Sequence, residues 1–268
     1  MVGSKPVLQL ALDVPVADMQ AASPLPFGKS CIEGVCWYEI DKSANDQNLP
    51  SVVFSQQGAT IRAENVINIS SVVNEQYGQS VQNLKFTLRG LPDNSSHEKN
   101  IDFIYGIINE LIAQGWRHYY YPSSPRIPGS EAIKLSGGET VFGEHVRSHP
   151  WFDPSIKMSL DQWLSYPSVY EWHFYQHGVY LTLEVMRSDS EKDPKKNGNY
   201  LVSLAVQNES DFWHGHFEEK DMARWVTLLP GLLDRYHAKR AASEAKARAN
   251  GIKIDETYQD PPIKALGQ

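Results

Sequence analysis

The chain lacks every common short catalytic signature. It has no G-x-S-x-G, so the nucleophile elbow of the α/β-hydrolases is missing. It has no G-x-x-x-x-G-K-[ST] phosphate loop, no G-x-G-x-x-G after a strand and no H-E-x-x-H zinc helix. The paired glycines of "LSGGET" are followed by no helix with phosphate-loop features and read as a plain turn. Basic excess is also missing. Lys and Arg number 25 against 32 Asp and Glu, a formal net charge of -7. That balance argues against nucleic acid as the main partner, because such binding rests on neutralising phosphates with cations. No apolar run approaches the ~18–20 residues of a membrane-spanning helix. The opening "MVGSKPVLQLALDVPVADMQAASP" has an apolar patch broken by Asp13 and Pro15, a poor match to an export signal.

Cysteine is scarce. Cys31 and Cys36 sit in "GKSCIEGVCWYEI", separated by four residues that include Gly34. A chain reversal there would allow a disulfide, and two independent thiols are the alternative, with geometry deciding. Two cysteines with no third to exchange with, in a Trp- and Tyr-rich protein, favour an oxidising compartment. The spacing is wrong for a thioredoxin-type site, and no second pair supports zinc.

What is present is ordinary in amount, with 41% hydrophobic and 21% charged residues over 268 positions. That is enough for one large domain or two small ones with a real core. Residues 1–30 read as a loose N-terminal segment rich in Ala, Pro and Ser. Strands follow in "CWYEI", in "SVVFS" and "ATIRAENVINIS" around Gly58, and in "VQNLKFTLRG", where Leu84, Phe86 and Leu88 alternate with polar neighbours. The period then changes to helical. Ile101, Ile104, Ile108, Leu111 and Ile112 fall on one face, Ser95 and Glu98 suit a capping box, and Gly115 suits a stop.

Residues 122–167 are irregular and rich in Pro and Gly, with a short helix expected near "SLDQWLSY". The plan then recurs. "SVYEWHFYQHGVYLTLEVMRS" reads as a hairpin turning at Gln176–Gly178, "NYLVSLAVQNES" as a strand, and "EEKDMARWVTLLPGLLDRYHAKRAASEAKARANG" as a long helix. Met222, Trp225, Val226, Leu229, Leu232, Leu233 and Tyr236 form its apolar stripe, and Pro230 should bend or restart it. Beyond Tyr236 the stripe fades, which predicts projection into solvent. The expected architecture is α+β, with two similar lobes that each pack an antiparallel sheet with one main helix. The lobes are 31–127 and 166–250, joined by a connector at 128–165, with a tail at 251–268.

Three chemical arrangements are conceivable. In "WHGHFEE", His214 and His216 would share one face of a strand and chelate a metal with Glu218 or Glu219, and with His173 and His177 from the hairpin. The same stretch suits the end of a strand and the start of a helix, with its glutamates near a helix N-terminus. A triad could be drawn from Ser148 or Ser155 with His145, His149 and Asp153, but only geometry defines a triad. Carboxylate pairs such as Glu33/Glu39 or Glu171/Glu184 serve glycoside hydrolysis only at defined separations. The expectation is no catalytic centre, no metal and no cofactor. A metal-dependent hydrolase centred on His214 and His216, or a structural envelope-assembly module, are the alternatives.

Aromatic runs point elsewhere. "WRHYYYP" sets four rings around Arg117 and His118, and "VYEWHFYQHGVY" adds five more. Alternate members of a strand face opposite sides, so such runs suit a core on one side and a surface on the other. Tyr, Trp and Arg are enriched at interface hot spots. Tyr119, Tyr121, Arg126 and Trp151 are the expected partner contacts.

The two-part α+β plan, "GWRHYYYPSSPRIPG" and "YEWHFYQHGVYLTLEVMR" resemble the immunity proteins that guard bacteria against their own type VI secretion phospholipase effectors. The likeness is one of pattern and spans most of residues 31–250. It implies a periplasmic, non-enzymatic protein that binds one toxin enzyme and occludes its active site. The N-terminus departs from it, since the expected export signal or lipobox cysteine is not seen.

Overall fold

Turn chemistry sets the strand pairing. A computed structural model of the protein describes residues 5–135 and 139–267; the "LSGGET" glycines Gly137 and Gly138 lie outside them. Four hairpins among the described residues turn on two residues with positive φ, the type I′ geometry whose twist matches paired strands. They are Glu33-Gly34 (49° and 83°), Gln57-Gly58 (49° and 92°), Phe142-Gly143 (54° and 82°) and His177-Gly178 (49° and 87°). The turns at Gly58 and at His177-Gly178 are those expected from the sequence.

In chain order the elements are β1 (Val7–Leu10), α1 (Val16–Ala22), β2 (Gly28–Ile32), β3 (Val35–Asp41), β4 (Ser51–Gln56), β5 (Ala59–Ala63), β6 (Val66–Asn74) and β7 (Asn83–Leu88). They continue with β8 (Ser95–Ser96), α2 (His97–Ala113), β9 (Arg117–His118), β10 (Thr140–Val141), β11 (Glu144–His145) and α3 (Leu160–Ser165). The chain closes with β12 (Val169–Gln176), β13 (Val179–Asp189), β14 (Asn197–Asn208), α4 (Glu209–His214), α5 (Glu219–Met222) and α6 (Trp225–Ala249).

The class is α+β, as the pattern predicts. The two halves share a sheet. Nine strands run in the order β2-β3-β6-β7-β14-β13-β12-β9, with β8 also paired to β14. The junction is β7 against β14, from Val202↔Leu88 to Gln207↔Asn83. A smaller sheet, β1-β4-β5, carries the N-terminal segment. That segment is ordered: β1 pairs in parallel with β4, and Leu8, Leu10, Leu12, Val16 and Met19 are buried.

One sheet face is dry. Phe86, Trp172, Phe174, Leu183, Val202 and Leu204 meet the α2 face of Ile101, Ile104, Tyr105, Ile108 and Leu111 in one core. Ile112 points outward instead. Ser96, one residue later than expected, caps α2 by accepting from the Lys99 amide. Gly115, at φ 95°, ends the helix, with Gly115 N–H donating to Ile112 and Trp116 N–H to Leu111. The expected short helix is α3, closed by a Ser159–Gln162 capping box, and its Trp163 lies in the core.

The second half of α6 does not project. Arg240, Ser243, Glu244 and Ala247 recur at helical spacing and are buried. Arg126 clamps Glu244 through two nitrogens at 2.7 and 2.9 Å. The tail folds back over them: Asp255 N–H donates to the Arg126 carbonyl, and Ile252 and Ile263 are buried. The helix passes through Pro230 without interruption. Cys31 and Cys36 are joined in a disulfide across the β2–β3 hairpin. No helix among the described residues is long and apolar enough to cross a membrane.

Candidate binding face

Side chains alternate across a strand, so the dry face of the large sheet fixes what lies on the other. On that second face two cross-strand rows stand out. The first is Glu171, Glu184, Ser203, Thr87, Asn68 and Asp41. The second is His173, Thr182, Ala205, Lys85, Ser70 and Glu39. Together they make a polar band with an acidic balance: Glu39, Asp41, Glu171 and Glu184 against Lys85.

Apolar residues frame the band. At one margin Val169, Met186 and Leu201 are direct cross-strand neighbours and are 43%, 45% and 44% exposed. At the other, Trp37 pairs with Val72, and Ile32 with Val35 at the disulfide-closed hairpin. Ile32 is 67% exposed. Neighbouring large aliphatic groups held in water on a sheet mark an interaction surface.

The far end of this face is covered. Tyr180 and Phe212 stack at 3.7 Å between ring centroids, joined by Tyr119, Tyr121, Trp213, Leu229 and Leu232 in a second core. The border is fixed by Asn83, which donates to Asp211 of α4 at 3.0 Å, and by Tyr77 against His214 at 5.7 Å. Arg147 closes one side, lying over the Tyr121 ring at 4.8 Å.

Glu171 and Glu184 stand directly opposite one another. Like charges in that relation are destabilising. Lys85 reaches Glu184 at 3.4 Å. Glu171 has His173 at 3.7 Å, but burial, with His118 and Arg147 nearby, pushes that imidazole down to about 3, so it is uncharged at neutral pH. Burial, then Glu184, raises the Glu171 carboxyl above its ordinary value. An acid raised in the folded state binds protons there more readily than in the unfolded chain, so its ionisation weakens folding as pH rises from the ordinary carboxylate range. Glu171→Gln should therefore stabilise the protein at pH 7 by about 0.5 kcal/mol, a rise of about 1–2 °C in Tm by differential scanning calorimetry. A fall in Tm would show that Glu171 is compensated.

The residues expected as contacts are placed differently. Tyr119 and Tyr121 are 2% and 7% exposed and belong to the second core. Their spacing of two puts both on the covered side. Arg126 is committed to Glu244, and its terminal nitrogen also donates to the Tyr258 carbonyl at 3.3 Å. Trp151 is half-buried against the main core. None of these four belongs to the open face.

"WHGHFEE" is a helix end and a helix start. His214 closes α4, Gly215 caps it, and α5 begins at Glu219. The two imidazoles diverge. His214 meets Tyr77 and Trp225. The His216 Nδ1 is 3.0 Å from the Tyr236 hydroxyl, and its ring packs on Phe212 and Trp213. His173 bonds Thr182 through Nδ1 at 3.1 Å. Among the described residues no group of three or more His, Cys, Asp or Glu is gathered to hold a metal ion.

The triad residues are spread over structural tasks. The Ser148 hydroxyl accepts from the Tyr121 amide at 2.8 Å. His149 Nδ1 accepts from the Trp151 amide, and Asp153 accepts from Gly129 and Ser155. The open-face residues Val169, Met186, Leu201 and Val72 escaped sequence reasoning. Period-2 alternation marks them as facing away from the core, but nothing local says that their strands are neighbours. No family model, curated protein or solved structure matches this chain.

Proposed function

We infer that this chain is a non-enzymatic binding protein that neutralises a secreted toxin enzyme by covering its active site. The observation that carries the reading is the open face of the large sheet. It sets exposed aliphatic residues on either side of an acidic band and keeps an opposed Glu171–Glu184 pair that weakens the isolated fold. A surface that retains like charges at a cost in stability suits a partner bearing cations, because complementary charge speeds encounter and selects partners. The partner class is a basic-surfaced hydrolase, with a phospholipase effector as the case the family resemblance suggests. The Cys31–Cys36 disulfide agrees with an oxidising compartment outside the cytoplasm, and the periplasm is the proposed site of action.

The test uses the purified protein as bait against the secreted proteins of the producing organism. One hydrolase should be retained near one-to-one and be inactive while bound. Met186→Arg, which places a charge on the exposed aliphatic margin without touching the core, should weaken its retention at least tenfold. A retained enzyme that stays active, or equal retention by the variant, overturns the reading.

A further inference from the structure

The two edges of the large sheet are treated differently. One ends in β9, a strand of two residues, and short edge strands are a usual device against unwanted pairing. The other ends in β2, whose five residues are all exposed. β2 contains no proline, and its register against β3 is unbroken from Gly28↔Glu39 to Ile32↔Val35, so no bulge twists it away. Its single charged side chain, Lys29, is drawn aside. Lys29 Nζ lies 3.2 Å from Glu75 and 5.4 Å from the Tyr38 ring centroid.

The hairpin geometry tells which backbone groups are free. A two-residue turn makes its flanking pair, Ile32 and Val35, a hydrogen-bonded pair, and the pattern then alternates. Ile32, Ser30 and Gly28 therefore bond to β3, while the amides and carbonyls of Lys29 and Cys31 point outward. The disulfide agrees with this assignment. Its Cα atoms are 4.1 Å apart, the close spacing of a non-hydrogen-bonded pair. It also keeps the exposed hairpin from fraying, so the edge is presented in one conformation.

We propose that β2 is the strand onto which an extended segment of the neutralised enzyme adds, so that the partner extends this sheet by backbone pairing. The inference rests on the neutralisation reading above. The side chains choose the segment. On the open face Gly28 carries no side chain, and behind it lies Glu39, which has no ionic partner among the described residues. A Lys or Arg opposite Gly28 can reach across to that carboxylate. Four residues along, Ile32 offers an apolar neighbour continuous with Val35, Trp37 and Val72. The occupant is an extended strand with a basic residue at one end and apolar residues at the other.

Lys29→Pro and Lys29→Ala separate backbone from side chain. Both delete the Glu75 pair. Only proline deletes the outward amide, and an edge strand tolerates proline when its N–H faces solvent. The two variants and the wild type are immobilised and exposed to the secreted proteins of the producing organism. Retention of the inactive hydrolase should be near wild type for Lys29→Ala and at most one-tenth for Lys29→Pro. Amide exchange in the wild-type complex supplies a second readout that needs no variant: exchange at Lys29 and Cys31 should slow at least tenfold. If Lys29→Pro retains the enzyme and the two amides exchange as in the free protein, edge pairing is wrong while neutralisation stands. Protection of these amides in the isolated protein at high concentration would identify a second copy as the occupant and overturn the proposal. If no variant retains an inhibited enzyme, the neutralisation reading fails first and the strand addition with it.

Discussion

Replacing Arg240 by alanine should lower the unfolding free energy by about 3–5 kcal/mol, the usual consequence of removing one partner of a buried ion pair. Arg240 is buried on α6 and uses its whole guanidinium. Two nitrogens grip Asp260 at 2.6 and 2.9 Å. The same group donates to the carbonyls of Ser124 at 3.1 Å and Tyr121 at 2.9 Å. Removing it leaves the Ser124 carbonyl without its donor and the Asp260 carboxylate with only His237 at 3.4 Å, while the Tyr121 carbonyl keeps the Ser124 amide. A buried acceptor left unpaired bears its own desolvation penalty. It also loosens the attachment of α6 and of the tail to the 119–126 segment, where the second core begins. Typical domains hold only about 5–15 kcal/mol in total, so the variant should unfold at markedly lower urea. Arg240→Lys should recover only part of the loss, since a single ammonium cannot span a carboxylate and two separate carbonyls. A change below about 1 kcal/mol by urea denaturation in both variants would mean that the network contributes little beyond packing.

Arg240 also shows where the sequence is hard to read. The stripe from Trp225 to Tyr236 is apolar and therefore visible. From Arg240 to Ala247 the buried face is Arg, Ser, Glu and Ala, which is indistinguishable from a solvated face until its partners are known. Glu244 meets Arg126 from 118 residues away, and Arg240 meets Asp260 in the tail that folds back over α6. The hairpins and α2 were legible because their information is local: a type I′ turn with glycine at its second position, period-2 alternation, a serine cap and a glycine stop. The N-terminal strand was also visible in principle. Leu8, Leu10 and Leu12 alternate with Gln9 and Ala11, but β1 is short and its partner β4 is parallel and distant. The union of the two halves into one sheet through β7 and β14 has no local signature at all. The burial of Tyr119 and Tyr121 is hidden for a related reason: the face they occupy depends on α4 and α6 folding over them. The exposed row of Val169, Met186 and Leu201 looks in the sequence like three ordinary strand residues.

Acid should destabilise the protein well before its ordinary carboxylates are titrated. Burial pushes the His149 imidazole down to about 4, and burial with His118 and Arg147 nearby takes His173 down to about 3. His149 is enclosed by Phe152 and Tyr166, and His173 by Tyr121, Thr182 and the covered end of the sheet. An imidazole lowered in the folded state takes up protons later than it does in the unfolded chain, which titrates near 6.5. The unfolded state therefore binds more protons below that point, and stability falls as pH drops. The contribution of each histidine is complete above about pH 6.5 and is lost progressively toward its folded value near 4 or below. The slope is about 1.4 kcal/mol per pH unit for each group, so the two together remove about 3–4 kcal/mol between pH 6.5 and 5. The half-buried His216, pushed down to about 4 by burial and then by Arg147, adds in the same direction. Glu171 acts the opposite way, since its raised carboxyl gains as pH falls, but a single half-buried cross-strand pair is worth under about 1 kcal/mol. Histidine therefore dominates the window from 6.5 to 5. Urea denaturation at pH 7.5, 6.5, 5.5 and 5.0 should show a plateau between the first two values and a steep loss across the last two. His173→Asn, which cannot be protonated, should flatten that loss by about one histidine's share, even though it destabilises at pH 7.5. A stability that is level from 7.5 to 5.0 would mean that both imidazoles are solvated and titrate normally.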